Sequence, residues 1–375
     1  MLFFVATCIV PAFLISFLIT AVIRKWAPKL DLVDQPADRK VHTTTTPLGG
    51  GIAIWIGVVA PLAAVQSIAW VLTRSESPAQ WLPAQFLIHL DGVLYRSGQL
   101  WSIVAAATIL AVLGLIDDLR GLHWLPRLLV QFFVAAGLVI WGDVRATITM
   151  DFVPLPWLGV VATTVWIIVL VNSFNFLDNM DGLSSGIALI ASILFAVVML
   201  TSHEPHWLVG GVLLVLAGSL TGFLLHNWPP AKIFMGDSGS YFIGLMLGCM
   251  AVLGTFYEYA SDGRSGKHVI LAPLCILAIP LYDFGSVMLI RVLARRSPFH
   301  PDKSHFSHRL VELGLKPRNA VLTIHLATLT TGLGALLLYR VKDWAAAFLI
   351  IALIACVLAI VAILETVGRK TDGKS

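Results

Sequence analysis

Charge is scarce in this sequence. Only 12% of its 375 residues are Asp, Glu, Lys or Arg, against 58% hydrophobic, whereas a soluble domain carries about 25% charged residues. That deficit, with a mean hydropathy of +0.88, excludes an ordinary water-soluble enzyme. Cysteine is equally thin. Cys8, Cys249, Cys275 and Cys356 all lie inside apolar runs, which fits neither a disulfide framework nor a zinc site and leaves them as small buried hydrophobes. A net charge of +4 is too slight over this length to point to nucleic acid. Low-complexity segments and a clear internal repeat are missing as well. The opening run MLFFVATCIVPAFLISFLITAVIRK lacks a basic n-region and a small-residue cleavage site, and reads as a retained first membrane helix instead of a signal peptide.

What the chain has instead is long apolar runs. Stretches able to cross a bilayer, roughly 17–25 residues each, fall near 2–23, 49–72, 100–116, 124–142, 156–172, 183–201, 207–225, 237–258, 268–290, 322–340 and 343–364. The expected fold class is all-α: a polytopic integral membrane helix bundle of about eleven transmembrane helices. The whole of 1–375 reads as one membrane domain. Its polar motifs fall between about 31 and 314, two C-terminal membrane helices cover 322–364, and 365–375 is a polar tail.

Counted on those spans, 18 of the 25 Lys and Arg residues fall opposite the N-terminus and the remaining seven on its own side. The positive-inside rule then puts the N-terminus outside and the C-terminus in the cytoplasm. The basic loops 24–48 and 291–321 carry that assignment.

Four unusual polar segments share the cytoplasmic side on this count: LGLIDDLRGL ending at Leu122, NSFNFLDNMDGL at 172–183, AKIFMGDSGSYF at 231–242 and RRSPFHPDKSHFSHRLVELG at 295–314. Ionisable groups at membrane depth are functional candidates by default, and four clusters at the ends of different helices suggest one assembled site. Asp117 and Asp118 end an apolar helix, where the macrodipole disfavours negative charge by about 0.3–1 kcal/mol each. They need a cation, either a metal or a basic side chain such as Arg120 or Arg127. A solvated helix end is the plainer alternative.

Asn172, Asn175, Asp178 and Asp181 follow one another at intervals of three. Successive members drift by about 60° on a helix, so neighbours converge on one ligand if the turn continues. Their hard oxygens suit Mg²⁺ or Mn²⁺, not zinc. Asp181 is also placed to N-cap the next helix. Asp237, between glycines ahead of an apolar run, fits either an N-cap or, with the helix N-terminus, a phosphate cradle.

From Ser304 the chain reads as an amphipathic helix. His305, His308, Arg309 and Glu312 share one face, and Phe306, Leu310 and Leu313 another. An interfacial helix explains this pattern, and so does recognition of an anionic ligand by basic groups. Lys40 and His42, before the threonines 43–46 and Pro47-Leu48-Gly49-Gly50-Gly51, form a second basic segment that is either a phosphate cradle or a topology anchor. Together these groups fit phosphoryl transfer between a soluble phosphate and a lipid one. A second phosphate pKa near 6 leaves an acceptor monophosphate largely dianionic, so positioning and charge neutralisation outweigh a strong general base.

Taken in order, LGLIDD, NSFNFLDNMDGL, MGDSGS and SPFHPDKSHFSH, with DQPADRKVHTTTTPLGGG near the start, resemble the polyprenyl-phosphate N-acetylhexosamine-1-phosphate transferases. That family's series is LGxxDD, NxxNxxDxxDGL, GDxGS and SPFxPDxxHxHH. The resemblance runs from about Asp31 to Gly314 and implies transfer of a sugar-1-phosphate, GlcNAc-1-phosphate above all, from a UDP-sugar to undecaprenyl phosphate, with release of UMP. It implies Mg²⁺ between Asp237 and Asn175, with Mn²⁺ as a substitute. Asp117 and Asp118 would be the catalytic pair beside the lipid phosphate, with Asp117 activating it. Asn172, Asp178 and Asp181 would shape the nucleotide pocket and His305 and His308 would hold the sugar-diphosphate, with Lys40, His42, Arg127 and Arg309 as further substrate-binding groups. Also implied are a multi-pass protein of the inner (plasma) membrane, an active site on its cytoplasmic face, and room for a homodimer.

The chain departs from the family pattern at three places. Ser307 stands at a histidine position of HxHH, Arg120 and Arg127 stand where lysines are common, and the loop reads DNMDGL where the muramoyl-pentapeptide branch reads DGLDGL. The last, with the SPFHPDK stretch, favours UDP-GlcNAc over the muramoyl-pentapeptide nucleotide, whose transferase is the rival within the class. A cation-coupled transporter would place its carboxylates in broken helices at the bilayer midplane, often in repeated halves, and neither feature is evident.

Overall fold

Spans that are apolar from end to end must satisfy every backbone N–H and C=O internally, and helices do so. The computed structural model describes residues 1–35, 45–74, 92, 94–145, 156–202, 205–262, 267–297 and 305–367. It is helical almost throughout. In chain order come α1 (Leu2–Trp26), α2 (Gly50–Arg74), α3 (Ser97–Arg120), α4 (Trp124–Trp141), α5 (Pro156–Leu177), α6 (Leu183–Thr201) and α7 (Trp207–Asn227). They are followed by α8 (Gly236–Asp262), α9 (Ala272–Ile276), α10 (Ala278–Leu293), α11 (Phe306–Glu312), α12 (Pro317–Leu338) and α13 (Trp344–Val367). Between α1 and α2 a two-residue strand β1 (Val33–Asp34) pairs antiparallel with β2 (Thr46–Pro47).

Among the described residues ten helices are long and apolar enough to cross a membrane. A further pair, His268–Ile276 and Ala278–Leu293, meets at a bend of 71° and makes eleven if it counts as one span. The expected polytopic bundle is therefore observed. Two helices run further than their apolar windows suggested. α3 continues to Arg120, so Asp117 and Asp118 lie in its last turn, and α5 continues through Asn172 and Asn175 to Leu177. The helix expected from Ser304 begins only at Phe306, with His305 as its extended N-cap residue.

Among the described spans α8 is the most enclosed, with 94% of its apolar window buried, against 11% for α1 and 17% for α13. Its N-terminal end is approached at glycine distance from two sides. A Cβ on Gly114 of α3 would lie 2.4 Å from the backbone of Asp237 and Ser238, and one on Gly51 of α2 would lie 2.2 Å from Gly239 N. These contacts carry the ends of α2 and α3 onto the start of α8, which is where the polar motifs meet. Gly114→Ala must push the two backbones apart, since neither neighbour is a side chain that can swing away. We expect it to cost about 1–3 kcal/mol and to displace Asp237, read as a lower melting temperature in detergent. An unchanged melting temperature would show that the approach is slack.

Candidate functional site

The two aspartates ending α3 are neutralised in different ways. Gly121, in the left-handed conformation, ends the helix, and the chain turns so that Leu122 N–H donates to Asp117 Oδ1 at 2.6 Å. Asp117 Oδ2 accepts from Arg127 Nη1 in a very short charged contact, and Tyr241 OH stands 3.5 Å from the same oxygen. Asp118 turns the other way, accepting from Asp237 N–H at 2.8 Å and Ser238 N–H at 3.3 Å. It thereby caps α8 from a different helix, its negative charge set against that helix's positive end. Left-handed Gly236 makes room, since a Cβ there would fall 2.5 Å from Asp118 Oδ2. The two amides that a phosphate cradle at this N-terminus would use are thus taken by Asp118, and Asp237 is not the cap of its own helix.

Freed from capping, the Asp237 side chain faces the site. Its Oδ1 accepts from Asn175 Nδ2 at 2.8 Å, and its Oδ2 stands 3.5 Å from Arg127 Nη1. Asn175 Nδ2 also reaches Ser240 Oγ at 3.2 Å. Side-chain exposure separates the carboxylates, with 28% for Asp237 and 5% for Asp117. Asp237 is the one open to a ligand, and Arg127 is the shared counter-ion behind it.

The donor set fits a hard cation held jointly with a substrate. Asp237 supplies one carboxylate, and Asn175, whose Nδ2 now faces Asp237 and Ser240, supplies one amide oxygen once its amide turns over. Mg²⁺ is commonly held by one or two carboxylates together with substrate phosphates. Among the described residues no group of three or more His, Cys, Asp or Glu side chains could hold an ion by itself, so these residues suit a shared site and not a closed protein cage.

The remaining members of the 172–183 run separate. Asn172, one turn before Asn175, donates to Gln131 Oε1 at 2.7 Å and ties α5 to α4. Asp178 follows the end of α5. Burial, then the negative charge of Asp118, pushes its carboxyl up to about 8. Asp181 does not cap α6. Gly182 is the N-cap residue, with φ of 69°, and Asp181 Oδ2 accepts from Ala231 N–H at 2.8 Å. The reason is Asn227, whose Oδ1 takes Gly182 N–H and Ser185 Oγ, both at 3.0 Å, and so performs the capping from α7.

The C-terminal histidine segment joins the other side of this loop. His305 lies ahead of α11, so it does not share a helical face with His308 and Arg309. Its Nδ1 bonds Asp283 Oδ2 of α10 at 2.9 Å, and its ring stands edge-on to Phe176 at 5.6 Å. His308 lies 6.2 Å from that ring, and Arg309 pairs with Glu312 at 2.7 Å. The apolar face is as expected, with Phe306 and Leu310 buried. Ser307 is buried and donates to Asn179 Oδ1 at 2.7 Å, so two of the departures from the family pattern touch each other. Arg291, buried on α10, lies over Phe176 at 5.1 Å. Lys40, His42 and the stretch 298–304 fall outside the described residues. Of the glycines near Lys40 and His42, Gly50 and Gly51 give their N–H groups to Phe234 and Met235 carbonyls, both within 3.0 Å, so those two amides pack the loop and do not face a phosphate.

Sequence reasoning passed over Gln131, Asn179, Asn227, Ser240, Tyr241 and Asp283. Each is a polar residue inside or beside an apolar run, and that rarity was the available signal. No spacing ties any of them to its partner.

The profile of Glycosyl transferase family 4 matches residues 100–255. The chain is 32% identical over 375 aligned residues to a Bacillus subtilis (strain 168) protein named probable undecaprenyl-phosphate N-acetylglucosaminyl 1-phosphate transferase, covering 96% of this chain and 94% of that one. It is 33% identical to the decaprenyl-phosphate N-acetylglucosaminephosphotransferase of Mycobacterium leprae (strain TN), over 84% of this chain and 79% of the relative. To the undecaprenyl-phosphate alpha-N-acetylglucosaminyl 1-phosphate transferase of Thermotoga maritima it is 28% identical, over 79% and 78%.

Proposed function

The chain belongs to the polyprenyl-phosphate N-acetylhexosamine-1-phosphate transferases, and on that footing we propose that it transfers GlcNAc-1-phosphate from UDP-GlcNAc to undecaprenyl phosphate. The products are the lipid-linked diphosphate sugar and UMP, a first step in building a cell-envelope polysaccharide. The observation that carries this reading is the open carboxylate of Asp237, held between Asn175 and Arg127 with Asp117 and Asp118 directly behind.

In this proposal Asp237 and Asn175 hold Mg²⁺, or Mn²⁺, together with the donor's diphosphate, and the cation supplies charge neutralisation there. Arg127 uses one nitrogen for both Asp117 and Asp237, so the other donors of its fork are left for the lipid phosphate. Asp117 holds that fork in place and so orients the attacking phosphate oxygen, which is already ionised near neutral pH. Asn172, Asp178 and Asp181 shape the nucleotide pocket, and His305, His308 and Arg309 meet the sugar-diphosphate, joined by Lys40 and His42. The positive-inside count supports a plasma (inner) membrane protein with this end of the bundle in the cytoplasm.

The deciding assay is UMP release by purified protein with UDP-GlcNAc, undecaprenyl phosphate and Mg²⁺. Release that requires both lipid and metal is expected. Release only with the muramoyl-pentapeptide nucleotide would move the chain to the peptidoglycan branch. Silence with both donors, in folded protein, would overturn the proposal.

A further inference from the structure

Asp283 is a carboxylate in the apolar middle of the sequence YDFGSV, only 1% exposed. Burying a charge is costly unless it is paired and hydrogen-bonded, so this residue needs a reason. Both its oxygens are used by consecutive residues of the α11 entry. Oδ1 accepts from Phe306 N–H at 3.0 Å, and Oδ2 meets His305 Nδ1 at 2.9 Å. The first contact caps a short helix, and a neutral amide oxygen would do it equally well. The second contact is different in kind, because the bond made by one imidazole nitrogen fixes the state and direction of the other.

The His305 ring has a second restraint. Phe176, the residue after Asn175, stands at 88° to it with centroids 5.6 Å apart. The bond to Asp283 and the T-shaped contact with Phe176 together hold the imidazole at two points. Nε2 has no protein partner among the described residues. Arg291, two turns along α10 from Asp283, lies over the same phenyl ring, and His308 is adjacent. The histidine thus sits on a buried carboxylate, beside Phe176 and His308, next to the loop that carries Asn175.

We propose that Asp283 is the positioning residue for His305, holding Nδ1–H so that Nε2 is presented to an oxygen of the donor's diphosphate. This rests on the transferase reading given above.

Two measurements separate this role from simple capping. The first needs no substrate: the ring ¹⁵N shifts of His305 in detergent-solubilised protein, assigned by their loss in His305→Gln. A single Nδ1–H form is expected in the wild type, and a mixture of both tautomers in Asp283→Asn, which retains an oxygen for Phe306 N–H. Identical spectra would overturn the proposal. The second is UMP release. Asp283→Asn is expected to lower kcat/KM for UDP-GlcNAc by roughly 10–100-fold, the range typical of carboxylates that orient functional histidines, mainly through KM and with an unchanged melting temperature. His305→Gln should match it, and the double variant should be no worse than either. Additive losses, or a wild-type KM in Asp283→Asn, would leave Asp283 a cap only and overturn the proposal. If the wild type itself releases no UMP, the transferase reading fails, while the spectra still decide what Asp283 does.

Discussion

Asp237→Asn is expected to cut UMP release by about 10³-fold while the protein remains folded. The substitution keeps the shape of the side chain and an oxygen for Asn175 Nδ2, which now donates at 2.8 Å. It removes the charge and replaces the oxygen that faces Arg127 with an amide donor. Asp237 is the exposed member of the carboxylate cluster, at 28% against 5% for Asp117, so it is the group on which a substrate-borne cation can settle. A loss of about 4 kcal/mol of transition-state charge stabilisation corresponds to that rate factor. The measurement is initial rate at saturating lipid across a Mg²⁺ titration. An Asn variant that keeps more than a tenth of wild-type activity would show that the cation, if any, is held elsewhere.

Arg127→Ala should act on the fold as well as the reaction. The guanidinium is the positive charge between Asp117 and Asp237, with Asp118 immediately behind at the α8 N-terminus. Without it Asp117 keeps only the Leu122 N–H and a long contact to Tyr241, at the end of a helix whose dipole opposes it. Breaking a buried pair costs about 3–5 kcal/mol. The Arg127 side chain is 27% exposed, so solvent screening brings the figure to about 2–3 kcal/mol, or roughly 5 °C in melting temperature. Activity should fall with it, since the same fork is assigned to the lipid phosphate. Mg²⁺ should recover part of the lost stability in the variant and add less to the wild type, because the ion substitutes for the missing charge. A melting temperature unchanged in both metal-free and metal-containing buffer would refute the counter-ion role. Arg127→Lys is expected to fall between, since it restores charge without the planar fork.

The apolar runs and their polar interruptions determined much by themselves. Run length fixes helices that cross a membrane, because an unpaired backbone group in hydrocarbon is too costly to leave. The DD pair, the NxxNxxDxxDGL loop and the GDSGS segment marked the chemistry, since such groups gather at membrane depth only for a purpose. The sequence also supplied the need for a cation beside Asp117, and named Arg127 as one candidate.

What the linear order could not reveal was the division of labour. Asp117 and Asp118 are neighbours with the same side chain, yet one binds Arg127 and the other caps a helix 119 positions away at Asp237. Asp181 looked like a cap and instead secures Ala231, because Asn227 reaches in from another helix. Asp283 lay silent in an apolar span until the bundle set it against His305. In each case the deciding partner comes from a distant part of the chain. Hydrogen bonds are short and directional, so which of several equivalent polar groups is consumed and which is left for a ligand depends on how the helices pack, here on glycines such as Gly114 and Gly51 that let backbones meet at the start of α8.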